Sequence, residues 1–127
     1  MKYKILSPTI HGLLDYAAAA GLIVLPFVLG LGETSPAALW LSVAGGFGLI
    51  TYSLATNYAF GLFGLVSFRT HLVFDLMAAL VFAIAPFVFG WSGLTLGYYL
   101  VMAAGVLVVV ALSSKSERVV NTPATNS

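Results

Sequence analysis

Four apolar stretches, residues 10–31, 36–55, 70–91 and 94–112, dominate the chain. A bilayer core about 30 Å thick is crossed by a helix of about 20 apolar residues, and each stretch has roughly that length. Four helices fit such segments; four strands do not. A soluble alternative fails on composition, because 61% of the residues are hydrophobic and only 7% are charged, whereas soluble domains carry roughly 25% charge. The expected fold class is an all-α membrane protein with four transmembrane helices, forming one domain over residues 1–112.

The ends of the spans carry helix punctuation. Ser7 before Pro8 and Ser35 before Pro36 place a capping hydroxyl ahead of a proline in the first turn. Gly30, Gly32, Gly90 and Gly93 mark the exits from the first and third spans. The connections there, residues 32–35 and 92–93, are so short that spans one and two, and spans three and four, should be antiparallel hairpins. Lys2, Lys4, Arg69, Lys115 and Arg118 then fall on the side that holds both termini and the middle link, with only Glu33 opposite. The positive-inside rule puts both termini in the cytoplasm. Residues 113–127 are polar, contain Pro123 and show no apolar periodicity, so they read as a disordered cytoplasmic tail. Lys2 and Lys4 ahead of an apolar run resemble a signal peptide. Recurrence of the same segment inside the chain favours its retention.

That recurrence appears when the chain is slid by 60 positions. His11 meets His71, Asp15 meets Asp75, Ala18-Ala19 meet Ala78-Ala79, Pro26-Phe27-Val28 meet Pro86-Phe87-Val88, and Gly30 meets Gly90. Eight of the twenty positions from 11 to 30 are identical, the rare residue types included, and Ser7 falls on Ser67. The match fades in the second helix of each unit, where mainly Ala44-Gly45 and Ala104-Gly105 still align. Duplication of a two-helix unit accounts for this, with repeat 1 over about residues 7–55 and repeat 2 over about 67–112. An even number of spans per unit makes the copies parallel, related by a pseudo-two-fold axis along the membrane normal. His11 and His71 should then lie at one depth near the cytoplasmic surface, with Asp15 and Asp75 about 6 Å deeper at 1.5 Å rise per residue.

A His-x3-Asp, a proline-aromatic pair eleven residues on and a glycine closing the span make a pattern that resembles the SPW-repeat family of small bacterial membrane proteins. The second copy, His71 and Asp75 through Ala85-Pro86-Phe87-Val88-Phe89-Gly90, is the more similar one. Where that family has Ser-Pro-Trp, this chain has Leu25-Pro26-Phe27 and Ala85-Pro86-Phe87. The resemblance implies a four-helix protein of the bacterial inner membrane and no particular activity.

His and Asp four residues apart share one helical face, and in both copies that face continues through the alanine pair to the proline. Small residues let helices approach closely, so the face is expected to point into the bundle. An ionisable group near mid-membrane costs about 2.5–3.5 kcal/mol for Asp, so His11, Asp15, His71 and Asp75 call for partners. They form the candidate polar site, which admits several readings. In the structural one each Asp accepts a hydrogen bond from its own His, or from Thr51, Tyr52, Ser53 or Asn57, fixing the helix register for about 0.6–2 kcal/mol per contact. In the others His11 and His71 ligate a haem b with the aspartates orienting the imidazoles, the four residues hold zinc, or the pairs relay protons.

No nucleophile with a base and an orienting group is evident, so an enzyme is not expected. The preferred reading is a non-catalytic accessory or scaffold module without a cofactor, embedded in the lipid bilayer as a homo-oligomer or a subunit of a larger membrane complex. The alternative is a haem- or metal-binding redox protein, or a proton- or ion-handling one. The charge is too small and too scattered for nucleic acid, and the absence of cysteine excludes disulfides and thiolate ligands.

The remaining features read as architecture. Pro26 and Pro86 each remove a backbone donor and are expected to kink their helices near the outer end. Phe27 and Phe87 meet lipid or the bundle, and Trp40, Trp91, Tyr98 and Tyr99 fall where an outer aromatic belt would form. Ala44 with Gly48, Ala104 with Gly105 and, less clearly, Gly97 with Val101 suggest helix-packing surfaces. The link over residues 56–68, apolar with Tyr58, Phe60, Phe63 and Phe68, is either an amphipathic or re-entrant segment at the interface or a simple loop.

Overall fold

The structure, a computed structural model, describes residues 6–57 and 60–120, without the side chains of 114–120. Lys2, Lys4, Tyr58 and the end of the expected tail, 121–127, lie outside the described residues. The elements are α1 (Pro8–Val28), α2 (Leu31–Thr34), α3 (Pro36–Ala55), α4 (Phe68–Phe89) and α5 (Gly93–Val120). All but α2 are long and apolar enough to span a membrane. No strand occurs among the described residues, and a single parallel bridge joins Thr56 to Val66.

The helix starts follow the capping chemistry of the sequence. Ser7 Oγ accepts the Ile10 N–H, and Ser67, 60 residues on, accepts that of Thr70. Ser35 accepts the Ala37 N–H. Gly30 and Gly90 both hold left-handed backbone, at φ 69° and 73°, a conformation that other residues adopt only with strain. The first connection contains the single turn α2, where a plain loop was expected. At the far end α5 runs past Leu112 to Val120, because no helix breaker occurs before Pro123.

α1 packs on α3 and α4 on α5 as two hairpins, while α1 also meets α5 and α3 meets α4. The bundle order is thus α1, α3, α4, α5 around a square. One stripe of α1, His11, Asp15, Ala19, Leu22 and Pro26, is buried, and the same stripe of α4, His71, Asp75, Ala79, Phe82 and Pro86, is buried with it. The helical spacing 4-4-3-4 keeps each set on one face, so the expectation that the His-Asp faces point inward holds. The outward residues remain apolar, Val28, Phe87 and Val88 among them, as lipid contact requires.

α1 packs tightly against α3 at Gly46, not at the expected pair Ala44 and Gly48. A Cβ on Gly46 would lie 2.6 Å from Ile23 Cγ1 and 2.9 Å from the Ala19 carbonyl oxygen. Ala44 and Gly48 are exposed, as are Ala104 and Gly105, and a Cβ at Gly48, Gly97 or Gly105 would meet nothing within 4 Å. Small residues therefore lie on both faces of these helices, and only the register against Ala19 and Leu22 separates them.

Aromatic placement also departs from expectation. Trp40 is exposed, but Trp91, Tyr98 and Tyr99 are buried in the core. The two tyrosine hydroxyls reach across the diagonal of the square: Tyr99 donates to the Ala38 carbonyl at 2.6 Å, and Tyr98 lies 2.6 Å from Ser42 Oγ. Ser42 in turn donates to the Leu22 carbonyl at 2.8 Å, the group that Pro26, four residues on, leaves without its helical N–H. Since the single Ser42 proton is used there, Tyr98 must be the donor to Ser42. A relay through α5, α3 and α1 thus compensates for one proline.

The link between hairpins is a loop, with no helix among its described residues before Phe68, which opens α4. It folds back on α3: the N–H groups of Leu62 and Phe63 both donate to the Leu54 carbonyl, and that of Val66 to Ala55. These bonds satisfy carbonyls left open at the helix end. Tyr16 on α1 donates to the Phe60 carbonyl at 2.9 Å and ties the loop to the first hairpin.

Candidate functional site

Side chains on a helix lean toward its N-terminus, so a carboxylate four residues after a histidine reaches back toward it. In α1 and α4 this lean merges the two expected layers into one cluster. His11, Asp15, His71 and Asp75 are all buried, and one candidate ligand atom from each lies within 4.8 Å of the others. Each histidine Nε2 faces both carboxylates. For His11 the distances are 3.1 Å to Asp15 Oδ1 and 3.0 Å to Asp75 Oδ2; for His71 they are 2.9 Å to Asp15 Oδ2 and 3.4 Å to Asp75 Oδ2. The shorter contact of each pair crosses from one hairpin to the other.

The opposite ring nitrogens are held by hydroxyls. His11 Nδ1 lies 2.7 Å from Ser113 Oγ on α5, and His71 Nδ1 lies 2.8 Å from Thr56 Oγ1 at the end of α3. Thr56 spends its one proton on the Tyr52 carbonyl, so it accepts from His71, and the Nδ1 of His71 is a donor. The Nε2 of His71 therefore meets the carboxylates either as a second N–H, on a charged imidazolium, or as a lone pair turned toward a shared cation. Tyr52 donates to the outer oxygen of Asp75, Oδ1, at 2.5 Å, leaving Oδ2 turned to the histidines. Phe68 lies edge-on to His11 and stacks with His71 at ring distances of 5.2 and 6.2 Å, and the Tyr52 ring lies 4.8 Å from that of His71. These rings wall the cluster in apolar surface, which strengthens its charge interactions and makes any imbalance costly.

Of the four side chains expected to serve the aspartates, Tyr52 does so, and on the other hairpin. Thr51 bonds within its own helix to Phe47, Asn57 is exposed, and buried Ser53 Oγ has no hydrogen-bond partner among the described residues. Ser113 and Thr56 are site residues that the sequence reading does not single out. For Ser113 a signal existed: it aligns with Ser53 at the 60-residue offset, inside what reads as a polar tail. Thr56 has no such marker.

A helical membrane protein with a buried His2Asp2 centre at one end of its bundle is the class these features define. No protein-family model, curated protein or solved structure matches the chain.

Proposed function

We propose that this chain is a non-catalytic accessory or scaffold module of the bacterial inner membrane, with both termini cytoplasmic, and that the His-Asp quartet fastens its two hairpins together. The reading rests on the reciprocal cross-hairpin pairs, His11 with Asp75 at 3.0 Å and His71 with Asp15 at 2.9 Å. Exchanging the two repeats maps each contact onto the other, as expected of a fastening made by duplicating one unit. With charges confined to this centre in the described core, the lipid-facing surface is left for neighbouring helices, of a second copy or of a larger complex. The same pattern keeps membership of the SPW-repeat family as part of the proposal.

Crosslinking in native membranes tests the role. A discrete oligomer or a fixed set of neighbours is expected, and a strictly monomeric chain with none refutes it. A haem fits this centre less well than the fastening does, because the two carboxylates occupy the space between imidazoles whose centroids are 5.3 Å apart.

A further inference from the structure

We infer that His11, Asp15, His71 and Asp75 form a four-ligand site for one divalent transition-metal ion of the zinc class. This goes beyond the scaffold role and does not depend on the chain having any partner.

Zinc takes imidazole nitrogen and carboxylate oxygen at about 2.0–2.1 Å in a tetrahedron, which sets neighbouring ligand atoms about 3.3 Å apart. The four His-Asp contacts measure 3.1, 3.0, 2.9 and 3.4 Å, close to that spacing, with Asp15 using a different oxygen for each histidine. With one ligand atom taken from each residue, all four lie within 4.8 Å of one another, so an ion entering the centre would draw the widest pair together by up to about 1.5 Å. The supporting groups are those a metal site needs. Both imidazoles present Nε2 to the centre because Nδ1 is engaged by Ser113 and Thr56, and for His71 the direction of that bond is fixed by the Thr56 proton. Asp75 has one oxygen tied to Tyr52 and the other turned to the two histidines, an orienting contact of the kind that tunes metal affinity. Charge also closes: two carboxylates and two neutral imidazoles around a divalent ion sum to zero, which suits a site walled by Phe68 and buried within the helices. Nitrogen-oxygen ligation without sulfur favours zinc, cobalt or a similar ion over copper(I).

The test uses the full chain purified in mild detergent without a polyhistidine tag, stripped with a chelator, dialysed and titrated with zinc(II) and cobalt(II). One equivalent of zinc per chain is expected, together with the intense d–d absorption of tetrahedral cobalt(II). Tyr52→Phe leaves all four ligands and the ring packing in place and is expected to weaken zinc binding about 10- to 100-fold. Asp15→Asn is expected to abolish the tetrahedral cobalt spectrum. Folded wild-type protein that binds well under one equivalent overturns the inference, whatever the variants do. So does a cobalt spectrum of octahedral type, or stoichiometric binding unaffected by both Asp15→Asn and Tyr52→Phe. Crosslinked oligomers would survive every one of these outcomes, so failure here is separable from failure of the scaffold reading.

Discussion

Replacing His71 by leucine keeps the volume of the site nearly constant and takes away a group that lies 2.9 Å from one carboxylate and 3.4 Å from the other. Asp15 and Asp75 then share the single imidazole of His11, at 3.1 and 3.0 Å. Breaking a buried ion pair by removing one partner costs about 3–5 kcal/mol. The cluster begins one turn inside the helix starts, where water and headgroups are near, so the lower end applies and His71→Leu should cost about 3 kcal/mol. Asp15→Leu strands a histidine instead, which can shed its proton, and should cost about 2 kcal/mol. The double substitution leaves His11 and Asp75 as a matched pair, and should cost about 1 kcal/mol, less than His71→Leu alone. Unfolding with sodium dodecyl sulfate in mixed micelles, followed by helical circular dichroism and run with a chelator so that no metal contributes, measures all three. Additivity of the two single substitutions within about 0.5 kcal/mol would refute the idea that the quartet works as charge-balanced pairs.

The packing leads to two further expected outcomes. Gly46→Ala would force a Cβ to 2.6 Å from Ile23 Cγ1 and 2.9 Å from the Ala19 carbonyl, and should lower stability by about 1–3 kcal/mol, whereas Gly48→Ala, in open space, should be neutral or slightly stabilising in the same unfolding assay. Ser42→Ala removes the donor to the Leu22 carbonyl and should cost about 1–2 kcal/mol. Adding Pro26→Ala restores a helical N–H to that carbonyl and should recover the part of the loss owed to Leu22, while the Tyr98 hydroxyl still lacks its acceptor; equal effects of Ser42→Ala with and without the proline would show that Ser42 does not serve Leu22.

How much of the fold and site is legible in the sequence depends on the range of the interaction. Spans, caps and the inward His-Asp faces are local or periodic, and length, Ser-Pro pairs and a repeated i, i+4 spacing carry them. Register between helices is not local. Gly46 and Gly48 lie two residues apart in one glycine-rich stretch, and only the position of α1 decides that one meets Ala19 and the other meets nothing. The tyrosines illustrate the same limit: near a span end a Tyr is at home in a headgroup belt, and what draws Tyr98 inward is a carbonyl on a helix 76 residues earlier, freed by Pro26 and relayed through Ser42.

The repeat itself foretells the site only as far as symmetry is kept. Perfect duplication would give His71 the same support as His11, a serine at the end of the neighbouring hairpin's second helix, and Ser53 stands in that equivalent position. The structure uses Thr56 instead, one turn farther on, and Ser53 Oγ is left buried without a partner among the described residues. The reason lies in the path of the chain beyond each second helix. α5 simply continues past Ser113, whereas α3 must end so that the chain can turn into the link, and Thr56 is the residue that caps it while bridging to Val66. The same turn brings Gly61 against Thr56 so closely that a Cβ there would collide with the Thr56 carbonyl, which ties the position of the hydroxyl to the fold of the loop. Tyr52 adds a second asymmetry, since its counterpart is Leu112, which offers no hydroxyl to Asp15. The two carboxylates therefore are not equivalent: Asp75 is steadied from outside the quartet by Tyr52, and Asp15 faces His11 and His71 with one oxygen each. In a duplicated bundle the link has only one copy, so differentiation of the two halves starts where the link attaches, and the site inherits its asymmetry from there.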